Sequence, residues 1–169
     1  MDYKYYERKI NDVILKCPIE AGVEILVYNV LDSILDSEKL SLVDINRLWK
    51  DRDERLTTTS GISDMAILSN DFQYRTDIGE VYGFIEVKAT SKPLVETIQV
   101  EGQKKEVHHY LYTNGLVWKY YKDGEKEWEK SLAFLEGTEC KKTVGYQRIS
   151  IDENKFNELI DNLTAIDWI

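Results

Sequence analysis

Three ionisable residues stand in otherwise hydrophobic runs: Asp64 in ISDMAILS, and Glu86 with Lys88 in VYGFIEVKA. A charge inside a buried strand is costly unless it is paired or holds a metal. Side chains along a strand alternate between faces, so Phe84, Glu86 and Lys88 share one face while Ile85, Val87 and Ala89 share the other. If the two runs pair, Asp64 stands beside Glu86, and neighbouring carboxylates repel unless a cation lies between them. A hard, oxygen-seeking ion such as Mg²⁺ suits that arrangement, with waters and a substrate phosphate completing its shell. Lys88 would then hold an attacking water or offset charge on a phosphorane-like transition state. The bland alternative is an ion pair on a half-exposed strand.

The elements that must position these residues are legible from periodicity and turn chemistry. Pro18 suits a first helical position, and IEAGVEILVYNVLDSIL follows with Glu20, Val23, Glu24, Val27, Leu31, Ile34 and Leu35 on one stripe. Two glutamates thus extend the apolar face of this helix. LSLVDI alternates like a strand, and the charged, then Thr/Ser-rich NRLWKDRDERLTTTSG reads as an exposed loop. ISDMAILS and VYGFIEVKA read as neighbouring central strands. LVETIQVEGQKKEVHHY, after Pro93, predicts a helix despite Gly102. In YLYTNGLVWKYYKDGEKEWEKSLAF the Asn114-Gly115 and Asp123-Gly124 turns predict a β-meander. Asp152 is placed to cap a final amphipathic helix carrying Phe156, Leu159, Ile160 and Leu163.

Asp64, a spacing of 22 residues, and then Glu86-Val87-Lys88 resembles the D…(D/E)-X-K signature of the PD-(D/E)XK nucleases, with Ser63 in place of the proline. TNGLVWKYY resembles the TNG-x-x-W stretch in the N-terminal nuclease domain of type I restriction enzyme R subunits and related standalone proteins. The resemblance covers about residues 18 to 121. It implies an α/β restriction-endonuclease-like core of order αβββαβ, a mixed central sheet flanked by helices, followed here by the C-terminal meander and helix. It further implies phosphodiester hydrolysis of DNA with Mg²⁺, for which Mn²⁺ can substitute, held by Asp64, Glu86 and the Val87 carbonyl. Glu20 sits where the first helix of the family supplies a supporting carboxylate, with Glu24 one turn later as the alternative. The family's Q-x-x-x-Y motif is incomplete: Gln103 is followed four residues later by Val107, and the nearest tyrosine is Tyr110. The fused motor of a full R subunit is absent, so the expectation is a nuclease module.

The 169 residues suit one domain, 1–169, and 4 Trp, 11 Tyr and 4 Phe give ample bulk for a core. A run of about 18 uncharged apolar residues is absent and MDYKYYERKI has no signal-peptide centre, so the expectation is a cytoplasmic chain without a membrane partner. The net charge of −9 argues against a surface wholly devoted to phosphate. It fits a second class of function, a nuclease fold kept as a binding module for a basic protein partner in an anti-defence or regulatory role; an oligomer is compatible with either class. Cys17 and Cys140 lack zinc-site spacing and read as reduced, buried thiols. His108 and His109 are adjacent and so point apart, which suits structural roles better than one shared ion. Trp118, Tyr120 and Tyr121 read as packing residues of the meander.

Overall fold

The computed structural model describes residues 1–46, 52–135 and 139–169. Chain order runs α1 (Tyr3–Lys16), α2 (Glu20–Asp32), β1 (Leu40–Asp44), a 3-10 turn (Glu54–Leu56), β2 (Met65–Ser69), β3 (Val81–Val87), α3 (Ile98–Gln103), β4 (His109–Thr113), β5 (Val117–Lys122) and β6 (Glu125–Ser131). The short strands β7 (Ala133–Phe134), β8 (Cys140–Lys141) and β9 (Ser150–Ile151) follow, and α4 (Glu153–Thr164) comes last. β1 to β6 form one sheet in sequence order. Pairing is antiparallel except between β3 and β4, where the connection carrying α3 returns the chain parallel. The short strands form a separate sheet of order β8-β7-β9.

The protein is therefore α/β, a mixed six-stranded sheet flanked by helices. Val23, Leu26, Val27, Val30 and Leu31 of α2 pack with Tyr6, Ile10 and Ile14 of α1, and with Phe156, Leu159 and Leu163 of α4, against Ile67, Ile85, Val87, Leu111 and Trp118. Val100 of α3 and Leu56 cover the other face, over Ala66, Leu68, Phe84, Tyr110, Tyr112 and Tyr121. Ile85 and Val87 thus lie on one side and Phe84 on the other, as alternation requires. Tyr120 and Trp118 join the first cluster and Tyr121 the second, the packing roles expected of them.

Several boundaries differ from expectation. α1 was not anticipated, because charges and tyrosines dilute its apolar stripe to Tyr6, Ile10 and Ile14 at every fourth position. α2 begins at Glu20 rather than at Pro18, with Ile19 extended before it, and it ends at Asp32, short of Ile34 and Leu35. The helix expected after Pro93 shrinks to six residues, and His109 already belongs to β4. Gly102 lies inside that short helix because a Cβ there would sit 1.7 Å from the Ser60 hydroxyl oxygen. The meander is not an appendage: β4, β5 and β6 complete the main sheet. Cys17 is exposed and Cys140 partly so, which corrects the expectation of buried thiols. Of the expected loop after Ile45, residues 47–51 lie outside the described residues. Among the described residues no helix is long and apolar enough to cross a membrane.

Arg55 pins the β2–β3 connection. Its guanidinium donates from Nε and Nη2 to Asp53, from Nη1 to the carbonyls of Ile78 and Gly79, and from Nη2 to that of Gln73. All five N–H donors of an arginine are thereby used. At the sheet's outer edge, β6 carries Glu125, Lys126, Glu127, Glu129 and Lys130.

The β4–β5 turn is the second fixed point. Gly115 has φ +80, and a Cβ there would lie 2.9 Å from Ile10 Cδ1 and 3.0 Å from Val23 Cγ1. Its carbonyl accepts from the Tyr6 hydroxyl at 2.5 Å, so the turn is bolted to α1 and α2. Gly115→Ala is expected to cost roughly 1–3 kcal/mol through backbone strain and overpacking, read as a lower urea midpoint at unchanged slope.

Candidate active site

Asp64 ends the approach to β2. Its amide donates to the Ile85 carbonyl at 3.0 Å and its own carbonyl accepts from the Ile45 amide at 2.8 Å, so it is held within the sheet although β2 begins one residue later. The paired register begins at Met65↔Ile85, so Asp64 stands just outside the regular ladder. The Asp64 carboxylate accepts the Val87 amide at 2.6 Å, which joins the start of β2 to the end of β3 through a side chain.

Glu86 is buried, 4% exposed, in the strand β3. Lys88 follows the last residue of that strand, and its amide still donates to the Thr113 carbonyl of β4 at 2.8 Å. Its ammonium donates to Glu86 Oε1 at 2.5 Å and to the Val87 carbonyl at 3.1 Å. Glu20, the first residue of α2, reaches across from the helical layer and accepts the Ala89 amide at 3.3 Å through Oε2. Carboxylate oxygens of Glu20, Glu24 and Asp64 lie within 4.8 Å of one another. The glutamate stripe on α2 therefore converges on Asp64, whereas Glu86 is engaged by Lys88.

These groups perturb one another. Burial pushes Glu86 up to about 7, with the Asp64 charge adding to the rise and the Lys88 hydrogen bond opposing it. Burial also raises Asp64, against the Val87 amide and Lys88, while the charges of Glu20 and Asp44 add to the rise. Burial pulls Lys88 down, but the hydrogen bond to Glu86 and the charges of Glu86, Glu20 and Asp64 outweigh it and leave the ammonium favoured. Such an arrangement is poor as a stability device, since several acids are held together where water is scarce. It suits a divalent cation, which would relieve the repulsion.

Gln103 is fully buried on α3, and its Oε1 accepts from the Tyr110 hydroxyl at 2.8 Å. The glutamine and the tyrosine thus meet through space rather than along one helix, and Gln103 is bonded to Tyr110 instead of a site carboxylate. His108 pairs with Asp123, while His109 is buried with Nδ1 against the Tyr120 hydroxyl at 2.7 Å. Both histidines have structural partners.

Sequence reasoning missed three supports. Asn46 donates to Glu24 Oε2 at 3.1 Å, and Asp44 adds its charge beside Asp64. Asn114 donates to the carbonyls of Lys92 and Lys142, each at 2.9 Å, while its Oδ1 accepts the amides of Leu116 and Val117. It closes the turn and tethers the segment after Lys88. Turn chemistry marked Asn114, but the contacts to Lys92 and Lys142 depend on distant chain.

No family model and no curated protein matches the chain. A solved structure does: the cryoEM structure of a DrdV–DNA complex aligns with a TM-score of 0.58 and 12% identity over 98% of this chain. The alignment spans 14% of that chain's length. The likeness is one of fold. The largest cavity among those described, about 410 Å³, lies elsewhere, in an apolar groove between α1 and α2 lined by Tyr5, Val13, Ile19 and Ile25. Glu24 and Asp44 line a smaller cleft of about 140 Å³ together with Tyr28 and Met65. The apolar groove also carries Lys9, Asp12 and Cys17, but it brings no two carboxylates together.

The raised Glu86 has a testable consequence for stability. An ordinary glutamate titrates near 4.5, so between 4.5 and about 7 the folded chain holds a proton that the unfolded chain has lost. This stabilisation is fully present at the acid end and fades as pH rises through 7. Without divalent metal, Glu86→Gln should remove that loss, gaining roughly 2–3 kcal/mol on wild type between pH 5 and pH 8, as measured by chemical denaturation across pH.

Proposed function

We infer that this chain is a divalent-metal-dependent phosphodiesterase acting on DNA, a nuclease module with the restriction-endonuclease-like core. The observation that carries the reading is the meeting of α2 with the ends of β2 and β3: Glu20, Glu24 and Asp64 converge, and Glu86 and Lys88 stand on the paired strand. The order α2-β1-β2-β3-α3-β4 supports it, as does a fold neighbour solved with DNA.

Asp64 and Glu86 are the pair that the D…E-X-K pattern assigns to Mg²⁺ or Mn²⁺ together with the Val87 carbonyl, and Glu20 and Glu24 add carboxylates on the Asp64 side. When bound, the ion would polarise a phosphoryl oxygen and favour deprotonation of a water. The chain's residues do the rest. The Val87 amide fixes the Asp64 carboxylate, and the Ala89 amide fixes Glu20. An ammonium has three donors; Glu86 and Val87 engage two, and the third serves the attacking water or a phosphate oxygen. With the ion bound, Glu86 would be held as the carboxylate, and the proton released by that water would pass to bulk solvent. In-line attack then cleaves the phosphodiester.

The net charge of −9 favours a second reading, a binding module for a basic protein. Plasmid nicking separates the two. With Mg²⁺ or Mn²⁺ the wild type should nick or linearise plasmid, and Asp64→Asn, Glu86→Ala and Lys88→Ala should each lose at least about 100-fold. Undiminished cleavage by Glu86→Ala or Lys88→Ala overturns the mechanism. A stoichiometric basic partner combined with no metal binding by calorimetry selects the binding module.

A further inference from the structure

The small sheet holds a pair of reactive groups that the candidate active site does not use. Cys140 lies in β8 and Lys155 in the first turn of α4. Lys155 Nζ is 2.6 Å from Cys140 Sγ. An N–H···O hydrogen bond spans about 2.7–3.2 Å, and sulfur is larger than oxygen, so this approach is too close for an ordinary hydrogen bond to sulfur. It is the separation that one bridging oxygen atom imposes on nitrogen and sulfur. Both residues are partly exposed, so a small oxidant can reach them. The pair is also held from several sides. The thiol lies 3.8 Å from the Ser131 carbonyl, β8 pairs with β7, and the Lys155 amide is capped by Asp152 at 3.0 Å.

We propose that Cys140 and Lys155 form an oxidation-dependent S–O–N cross-link between the small sheet and α4. The oxidant class is a peroxide. One hydrogen peroxide converts the thiol to a sulfenic acid and releases water, the first step of the cysteine oxidation ladder. A second converts the neutral lysine amine to a hydroxylamine and releases water. The hydroxylamine oxygen attacks the sulfenic sulfur, the S–O bond to nitrogen forms, and the sulfenic hydroxyl leaves as a third water. In sum, one thiol, one amine and two peroxides give the bridge and three waters, with four electrons passing from sulfur and nitrogen to peroxide. Thiol reductants reverse it.

The cross-link would lie two residues from Lys142, whose carbonyl holds Asn114, which in turn tethers the segment after Lys88. Oxidation would therefore stiffen the support of the site without touching a carboxylate. The chemistry of the bridge is independent of whether the site cleaves DNA.

Intact-mass and peptide mass spectrometry test it, using the full chain with Cys17→Ser to silence the exposed second thiol. Titration with hydrogen peroxide should add about 14 Da, one oxygen gained and two hydrogens lost, and map to a linked pair of Cys140 and Lys155 peptides. Dithiothreitol should abolish the gain, and Cys140→Ser and Lys155→Arg should each prevent it. Gains of about 16 or 32 Da confined to Cys140, loss of two hydrogens without added oxygen, or an unchanged mass would each overturn the proposal.

Discussion

The hydrogen bond from the Val87 amide to the Asp64 carboxylate is the joint on which the site depends. It is made where β2 has not yet begun and β3 is ending, so a side chain takes over the pairing that the backbone leaves off. Asp64 is thereby fixed at the end of β3 and brought close to the glutamates of α2. A carboxylate held by an amide keeps its orientation at the cost of water, and the rise in its pKa records that cost. The glutamates of α2 and the ammonium of Lys88 find their places relative to this one acid.

Around that joint, rigidity comes from groups remote in sequence. Thr113 receives the Lys88 amide, Asn114 tethers the following segment, and Gly115 is bolted to α1 by Tyr6. The TNG stretch therefore does more than turn the chain: it links the helical layer, the end of β3 and the small sheet. On the far side Arg55 holds the β2–β3 connection through carbonyls that a shorter or less branched cation could not reach together.

The parts legible in the sequence were those governed by local rules. Alternation separated Glu86 from Ile85 and Val87, helical periodicity put Glu20 and Glu24 on one stripe, and Asn-Gly marked the β4–β5 turn. What stayed hidden was set by tertiary contact. The α1 stripe is visible only once Tyr6, Ile10 and Ile14 are seen to share a core, and α3 is short because the chain before it is occupied in hydrogen bonds to β4 and β5. The convergence of Glu24 with Asp64, and of Asn46 with Glu24, depends on how α2 lies across the sheet. Spacing along the chain carries no record of that angle.

The charges along β6 bear on how the molecule meets its own copies. An unpaired strand edge offers backbone donors and acceptors to any extended chain that comes near. Here a second strand laid against β6 in the antiparallel alignment centred on Trp128 would set Lys126 opposite Lys130 and Glu127 opposite Glu129. The outer edge thus carries charged side chains of the kind that discourage extension by a further strand.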